Sequence, residues 1–139
     1  MSNIAIIGAT GRAGSQLVAE ALRRGHSVLA IARNPSALQG REGVTVQALD
    51  VNDSAALQAA LTGVDAVLSA AHFASIEPEA IIQPVKRAGV KRLLVVGGAG
   101  SLLLPSGQRV IDSPDFPEAY KAEATGGVRV LEVLQQEPD

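Results

Sequence analysis

Three glycines spaced three residues apart, Gly8, Gly11 and Gly14, follow the aliphatic run Ile4-Ala5-Ile6-Ile7. A helical pattern opens at once behind them, with Leu17, Val18, Ala21 and Leu22 on one face and Gly25 at its end. A strand that turns on glycine into a helix presents unpaired N–H groups and a partial positive charge, which together hold a pyrophosphate. The first glycine makes the turn tight, the second lets backbone come close to the phosphates, and the third lets helix and strand pack. Thr10, Arg12 and Ala13 lie inside the same turn and join it as candidate cofactor contacts.

Two arginines bear on which nucleotide would sit there. A carboxylate at the end of the second strand would bind the ribose diol of NAD. No acidic residue lies between Glu20 and Glu42; Arg33 ends that strand instead, and Arg12 stands in the glycine turn. Guanidinium groups form planar, charge-assisted bonds to phosphate oxygens. The expectation is therefore NADP, with NADPH preferred over NADH, against the alternative of two ordinary solvated arginines.

Groups able to move a proton are few. His72 follows the fourth apolar run directly and has the range to act near neutral pH; its other reading is a polar loop residue. Ser101 follows Gly-Ala-Gly and could orient a carbonyl, or simply make a turn. Phe73, Phe116 and Tyr120 are all the aromatics; each falls in a loop expected at the carboxyl ends of the strands, where they suit a flat ligand or a nicotinamide wall. Phe116, between Pro114 and Pro117, could equally pin its loop. His26 lies at a helix end, where a cation suits the dipole. Asp112 and Asp115 sit in a turn-rich loop, which does not hold a carboxylate pair rigidly enough for glycosidase work.

The elements that must position these groups alternate between strand and helix. Strands are expected at about 3–8, 27–32, 44–49, 65–70 and 92–97, with helices at 12–24, after the Asp53-Ser54 cap up to Gly63, from 77–79 to Gly89, and at 118–135. The segment 98–117 reads as irregular. Repeated β-α-β units with short connections imply a Rossmann-type α/β fold: a doubly wound parallel sheet of order 3-2-1-4-5, helices on both faces. Two features run against the pattern. Pro84 should kink the third helix, and Gly126-Gly127 should cost the last one about 2 kcal/mol relative to two alanines.

With 139 residues the chain suits one domain, taken as 1–139. Its net charge of −2 has no basic run, which argues against nucleic acid. Without cysteine it can have no disulfide, thiolate metal site or cysteine nucleophile, which fits the cytoplasm. Two histidines do not make a metal cluster, so no metal is expected. The apolar run 93–105 is too short to span a bilayer, and the N-terminus shows no signal peptide.

Gly8-Ala-Thr-Gly-Arg-Ala-Gly14, Ile31-Ala-Arg-Asn-Pro35, Leu49-Asp-Val51, Gly89-Val-Lys-Arg-Leu93 and Val95-Val-Gly-Gly-Ala-Gly-Ser101 together resemble the atypical short-chain dehydrogenase/reductases. The likeness is strongest to the NAD(P)H-binding, NmrA-like branch, which includes flavin and biliverdin reductases. It implies that Asp50 and Val51 sit at the adenine, that Ser69, Ala70 and Ala71 line the cofactor after strand four, and that Ser101 faces the nicotinamide.

The chain departs from that pattern twice. Reductases of the wider superfamily use a tyrosine followed four residues later by a lysine. Tyr120 is the one tyrosine here, position 124 is alanine, and Lys121 is adjacent to the tyrosine. Family members also continue past the last helix into a sixth strand, whereas this sequence stops at 139. The expectation is a truncated form, or a homodimer that covers the strand-five edge at Leu93 to Val96. The function implied is hydride transfer from NADPH to a small-molecule acceptor: flavin, quinone or carbonyl. Catalytic candidates are His72, Ser101 and Tyr120. The alternative is a non-catalytic NADP(H)-binding regulator or redox sensor.

Overall fold

The computed structural model describes residues 2–34, 36–72, 76–97, 99–114 and 116–137. Pro35, Phe73, Gly98 and Asp115, all used above, lie outside the described residues. The chain groups into two compact units. The first holds residues 1–71 and 79–96, the second residues 72–78 and 97–139.

The first unit is a five-stranded parallel sheet: β1 (Asn3–Ile7), β2 (Ser27–Ala32), β3 (Val44–Ala48), β4 (Ala66–Ser69) and β5 (Leu93–Val95), in the order β3-β2-β1-β4-β5. This is the Rossmann order expected from the alternation. In register, Ile7 stands level with Ile31 on one side and Ser69 on the other. All five carboxyl ends therefore lie along one edge, and the strand order reverses beside β1, where sheets of this kind bind ligands.

Strand residues alternate between the two faces. Ile6, Val28 and Ala30 point to one face and pack in a cluster with Ala9, with Val18 and Ala21 of α1 (Arg12–Arg23) and with Leu38. Ala5, Ile7, Ile31 and Val67 are fully buried on the other face. Right-handed crossovers place α2 (Ser54–Ala60) and α3 (Pro78–Arg87) over that second face, which accounts for the burial of Leu57, Leu61, Ile82 and Val85. No aromatic is needed: branched aliphatics fill both layers.

The helix ends follow local chemistry. The Asp53 carboxylate accepts from the Ala56 N–H at 3.2 Å and caps α2 as expected. Gly25 ends α1 at φ +83°, with its N–H on the Leu22 carbonyl and the His26 N–H on the Ala21 carbonyl. Gly89 repeats that closure after α3, where Val90 N–H reaches the Val85 carbonyl. His26 differs from its sequence reading: Nδ1 accepts from the Ser2 N–H at 3.0 Å, so the ring serves as an acceptor rather than as a cation at the helix end. Pro84 lies inside the third helix, as read from the sequence. The helix runs on through it to Arg87, with Pro84 buried and its carbonyl accepting from Ala88 N–H at 2.9 Å.

Within this sheet β3 and β5 are the edges. On β5 and just beyond it, Leu94 and Val96 are 49% and 42% exposed.

The second unit contains 3₁₀ turns at Ala99–Ser101, Val110–Asp112 and Glu118–Tyr120, and the helix α4 (Lys121–Gln135). So the segment read as irregular carries short turns and a small hairpin: Leu103 bridges Arg109, and Gly107 closes the tip at φ +88°. Arg109 fixes this hairpin to α4 through Glu132 at 2.7 Å, and Arg129 of α4 holds Glu77 at 2.6 Å.

One contact in the first unit leaves no latitude. A Cβ on Gly14 would fall deep inside the Gly8 carbonyl oxygen, 2.8 Å from its carbon and 3.0 Å from Ala9 Cα. All three are backbone atoms, so relief requires moving the helix off the strand. Gly14→Ala is expected to cost about 2–3 kcal/mol, read as a lower midpoint in urea denaturation followed by circular dichroism.

Candidate functional site

The turn between β1 and α1 is fixed from both sides. Gly8 N–H bonds the Ile31 carbonyl at 3.0 Å, and Gly8 adopts φ +75° beside the backbone of Ala70 and Ala71. A Cβ there would lie 2.9 Å from the Ala70 carbonyl oxygen, so glycine is required by both conformation and space. Gly11 N–H returns to the Gly8 carbonyl at 3.1 Å, and the first intrahelical bond runs from Ser15 N–H to the Gly11 carbonyl at 2.9 Å. The N–H groups of Arg12, Ala13 and Gly14 precede that bond and have no carbonyl within the helix to reach. The N-cap residue is Gly11, which offers no side-chain cap, and no acid stands in the first turn. The donors are thus left for a ligand.

The three glycines differ in what they require. Gly8 and Gly14 are demanded by the protein itself. Gly11 is not: its φ is −75°, and an added Cβ would meet only the Gly8 carbonyl oxygen, at 3.4 Å. The space above Gly11 is open, and a side chain would fill it. This is the cradle that a pyrophosphate needs, and the residues present fit a dinucleotide.

The other expected cofactor residues lie on the same edge of the first unit. Thr10, Arg12, Ala13 and Arg33 are exposed. Neither guanidinium has an ion pair or hydrogen bond among the described residues. Arg41, Arg87 and Arg92 are unpaired as well, so position rather than solitude distinguishes Arg12 and Arg33. The carboxylate of Glu20, the one acid on α1, is engaged elsewhere. Arg23 and Arg24 bond it near the helix C-terminus and hold it down at about 2. Asp50 follows β3, and its carboxylate accepts from the Asn52 N–H at 2.9 Å to shape the turn before α2. Val51 is buried and Asp50 exposed. Ser69 is buried as well, its carbonyl accepting from Val96 N–H at 2.9 Å, while Ala70 and Ala71 are half-buried beside Gly8.

His72, Ser101 and Tyr120 belong to the second unit, where the first turn of α4 gathers them. Tyr120 is its N-cap residue, 66% exposed. Glu123 stands 3.6 Å from His72 Nδ1. Ala124 faces Gly100, the residue before Ser101: a Cβ on Gly100 would lie 3.1 Å from the Ala124 Cβ. The place where a tyrosine-plus-four lysine would stand is therefore a packing contact. Lys121 pairs instead with Glu118 at 3.1 Å. Phe116 is half-buried and its N–H bonds the Ser113 carbonyl at 3.1 Å, in line with a loop-pinning part.

Sequence reasoning missed Glu123, which lies 51 positions from His72 (123 − 72) and has no motif to mark it. It also missed the Arg109–Glu132 and Arg129–Glu77 clamps. Among the described residues, no group of three metal-ligating side chains occurs and no helix is long and apolar enough to cross a membrane.

Fold and glycine turn are those of a nicotinamide-dinucleotide-binding domain. The NAD(P)H-binding family matches residues 8–132, and the chain belongs to it. It is 37% identical over 139 residues to the uncharacterized protein YwnB of Bacillus subtilis, an alignment covering 96% of this chain and 65% of that protein. A crystal structure of a candidate epimerase from Bacteroides thetaiotaomicron superposes with a TM-score of 0.88 at 37% identity, over 98% of this chain and 66% of the other. A candidate NADH-flavin reductase from Streptococcus pneumoniae gives 0.74 at 33% identity, over 97% and 66%. The chain thus spans just under two thirds of the length of these relatives.

Gly11→Ala isolates the ligand's demand from the fold's. It should change stability by less than about 1 kcal/mol while weakening NADPH at least about tenfold through the filled cradle. Denaturation and calorimetry on the same sample check both halves.

Proposed function

We propose that this protein is an NADPH-dependent oxidoreductase that passes hydride to a small acceptor, a flavin, quinone or carbonyl. The observation that carries it is the cradle above Gly11, open toward three unclaimed N–H groups and flanked by Arg12 and Arg33, which have no counter-ion among the described residues. In this reading Gly8, Thr10, Gly11, Arg12, Ala13 and Gly14 hold the pyrophosphate. Arg33 takes the 2′-phosphate, with Arg12 beside it. Asp50 and Val51 border the adenine, the exposed Asp50 more than the buried Val51. Ala70 and Ala71, supported by Ser69, line the approach to the nicotinamide. A bound reduced nicotinamide supplies the hydride; the protein supplies grip, orientation and a proton. The likeness to a candidate NADH-flavin reductase supports an electron acceptor of that size. The glycine turn and the run from Val95 to Ser101 support the atypical, NmrA-like branch, and the lack of cysteine supports a cytoplasmic site.

One observation favours a second reading, a NADP(H)-binding regulator without chemistry. Lys121 is committed to Glu118, and position 124 is an alanine packed toward Gly100. Steady oxidation of NADPH by a panel of flavins, quinones and aldehydes distinguishes enzyme from regulator.

A homodimer through β5 belongs to the same proposal and is supported by the exposed Leu94 and Val96. Sedimentation equilibrium should find a dimer; a monomer at high concentration overturns it. For the nucleotide, titration calorimetry should give NADPH micromolar affinity and NADH much less. Arg33→Ala should cost NADPH about 10- to 100-fold and leave NADH nearly unchanged. An equal loss for both would remove the 2′-phosphate role.

A further inference from the structure

We infer that Glu123 is a positioning residue for His72, and that this pair delivers the proton that accompanies hydride transfer. The inference rests on the oxidoreductase reading above and adds to it the source of the proton. His72 Nδ1 and Glu123 Oε2 are 3.6 Å apart, both in the second unit. That is ion-pair range and slightly longer than a formed hydrogen bond; such contacts tighten once substrate occupies a site. Glu123 stands in the first turn of a 15-residue helix, and that helix is fastened by Arg129–Glu77 to the segment that leads on from His72. The carboxylate is therefore carried by a helix, while the imidazole, 90% exposed, is free to meet a ligand.

The chemistry follows from the two ring nitrogens. With Nδ1–H directed at Glu123, the imidazolium keeps Nε2–H turned away from the carboxylate. The acceptor gains an electron pair with the hydride, and negative charge develops on its oxygen or nitrogen. The Nε2–H bond breaks as the new O–H or N–H bond forms. The neutral imidazole retains Nδ1–H on Glu123, and water returns the proton. No further oxidant or reductant is needed. Tyr120 does not compete for this part, because neighbouring Lys121 is held by Glu118 and no lysine stands at 124.

The chain has two histidines, which makes the pair directly observable. With ring-nitrogen-labelled histidine, long-range proton–nitrogen correlation spectra report which nitrogen of each neutral ring bears hydrogen. His26 serves as the reference: its Nδ1 accepts from Ser2, so it should be the Nε2–H form. His72 should be predominantly Nδ1–H in the wild type with NADP+ present, and should revert to Nε2–H in Glu123→Ala. In turnover with the best acceptor, His72→Ala should lower kcat about 100-fold with NADPH affinity unchanged. Glu123→Ala should lower kcat less, again without moving NADPH affinity. Both side chains are on the surface, so circular dichroism should show both variants folded. A His72 tautomer indifferent to Glu123, or wild-type kcat in His72→Ala, overturns the pair alone. A wild type that turns over no acceptor overturns the reading beneath it and the catalytic part with it.

Discussion

The approach of the first helix to the first strand governs this architecture. Gly14 lies so close to the Gly8 carbonyl that hydrogen is the only side chain the gap admits. That closeness sets where the helix begins, and with it the direction of its unclaimed N–H groups. It also brings Val18 and Ala21 down onto Ile6, Val28 and Ala30, sealing one face of the sheet with small and branched side chains. Had the helix stood a methyl group further off, the cluster would be loose and the donors would aim elsewhere. Core packing and the direction of the unclaimed donors are thus set by one geometric choice, made by residues without side-chain chemistry.

The second unit is organised by charge as well as by burial. Two arginines, 109 and 129, each reach a carboxylate far away in sequence. Exposed ion pairs contribute little stability individually, so their main effect is to select one arrangement of the hairpin and of the segment before α3. The second unit buries few large side chains, and Leu102 and Leu103 stand 61% and 70% exposed. A region that relies on exposed ion pairs more than on a deep core opens locally at lower cost than a buried sheet.

Much of this was legible in the residues. Periodicity and glycine punctuation located every strand to within two residues, because buried parallel strands read as apolar runs and left-handed helix ends require glycine. The Asp53 cap was equally plain. The glycine turn could be read because its logic is local: strand, turn and helix are consecutive. Contacts made across long stretches of chain left no such trace. Glu123 beside His72, Ala124 against Gly100 and Arg109 on Glu132 depend on tertiary folding, and single residues of common type give no period to detect. His26 was read from its helix end alone, while its actual partner is the backbone at Ser2.

The strand order has a consequence for how the chain is made. Of the five strands β1 is made first and is the central one, and each later strand joins an edge already present: β2 then β3 on one side, β4 then β5 on the other. No strand has to be inserted between two that have already paired. By the time Ala48 has emerged, three strands and the glycine turn between β1 and α1 can be in place, so vectorial synthesis meets the sheet in the sequence in which it can zip. The glycine turn needs only β1 and α1, and any ligand bound there would stabilise the β3-β2-β1 half before β4 and β5 arrive.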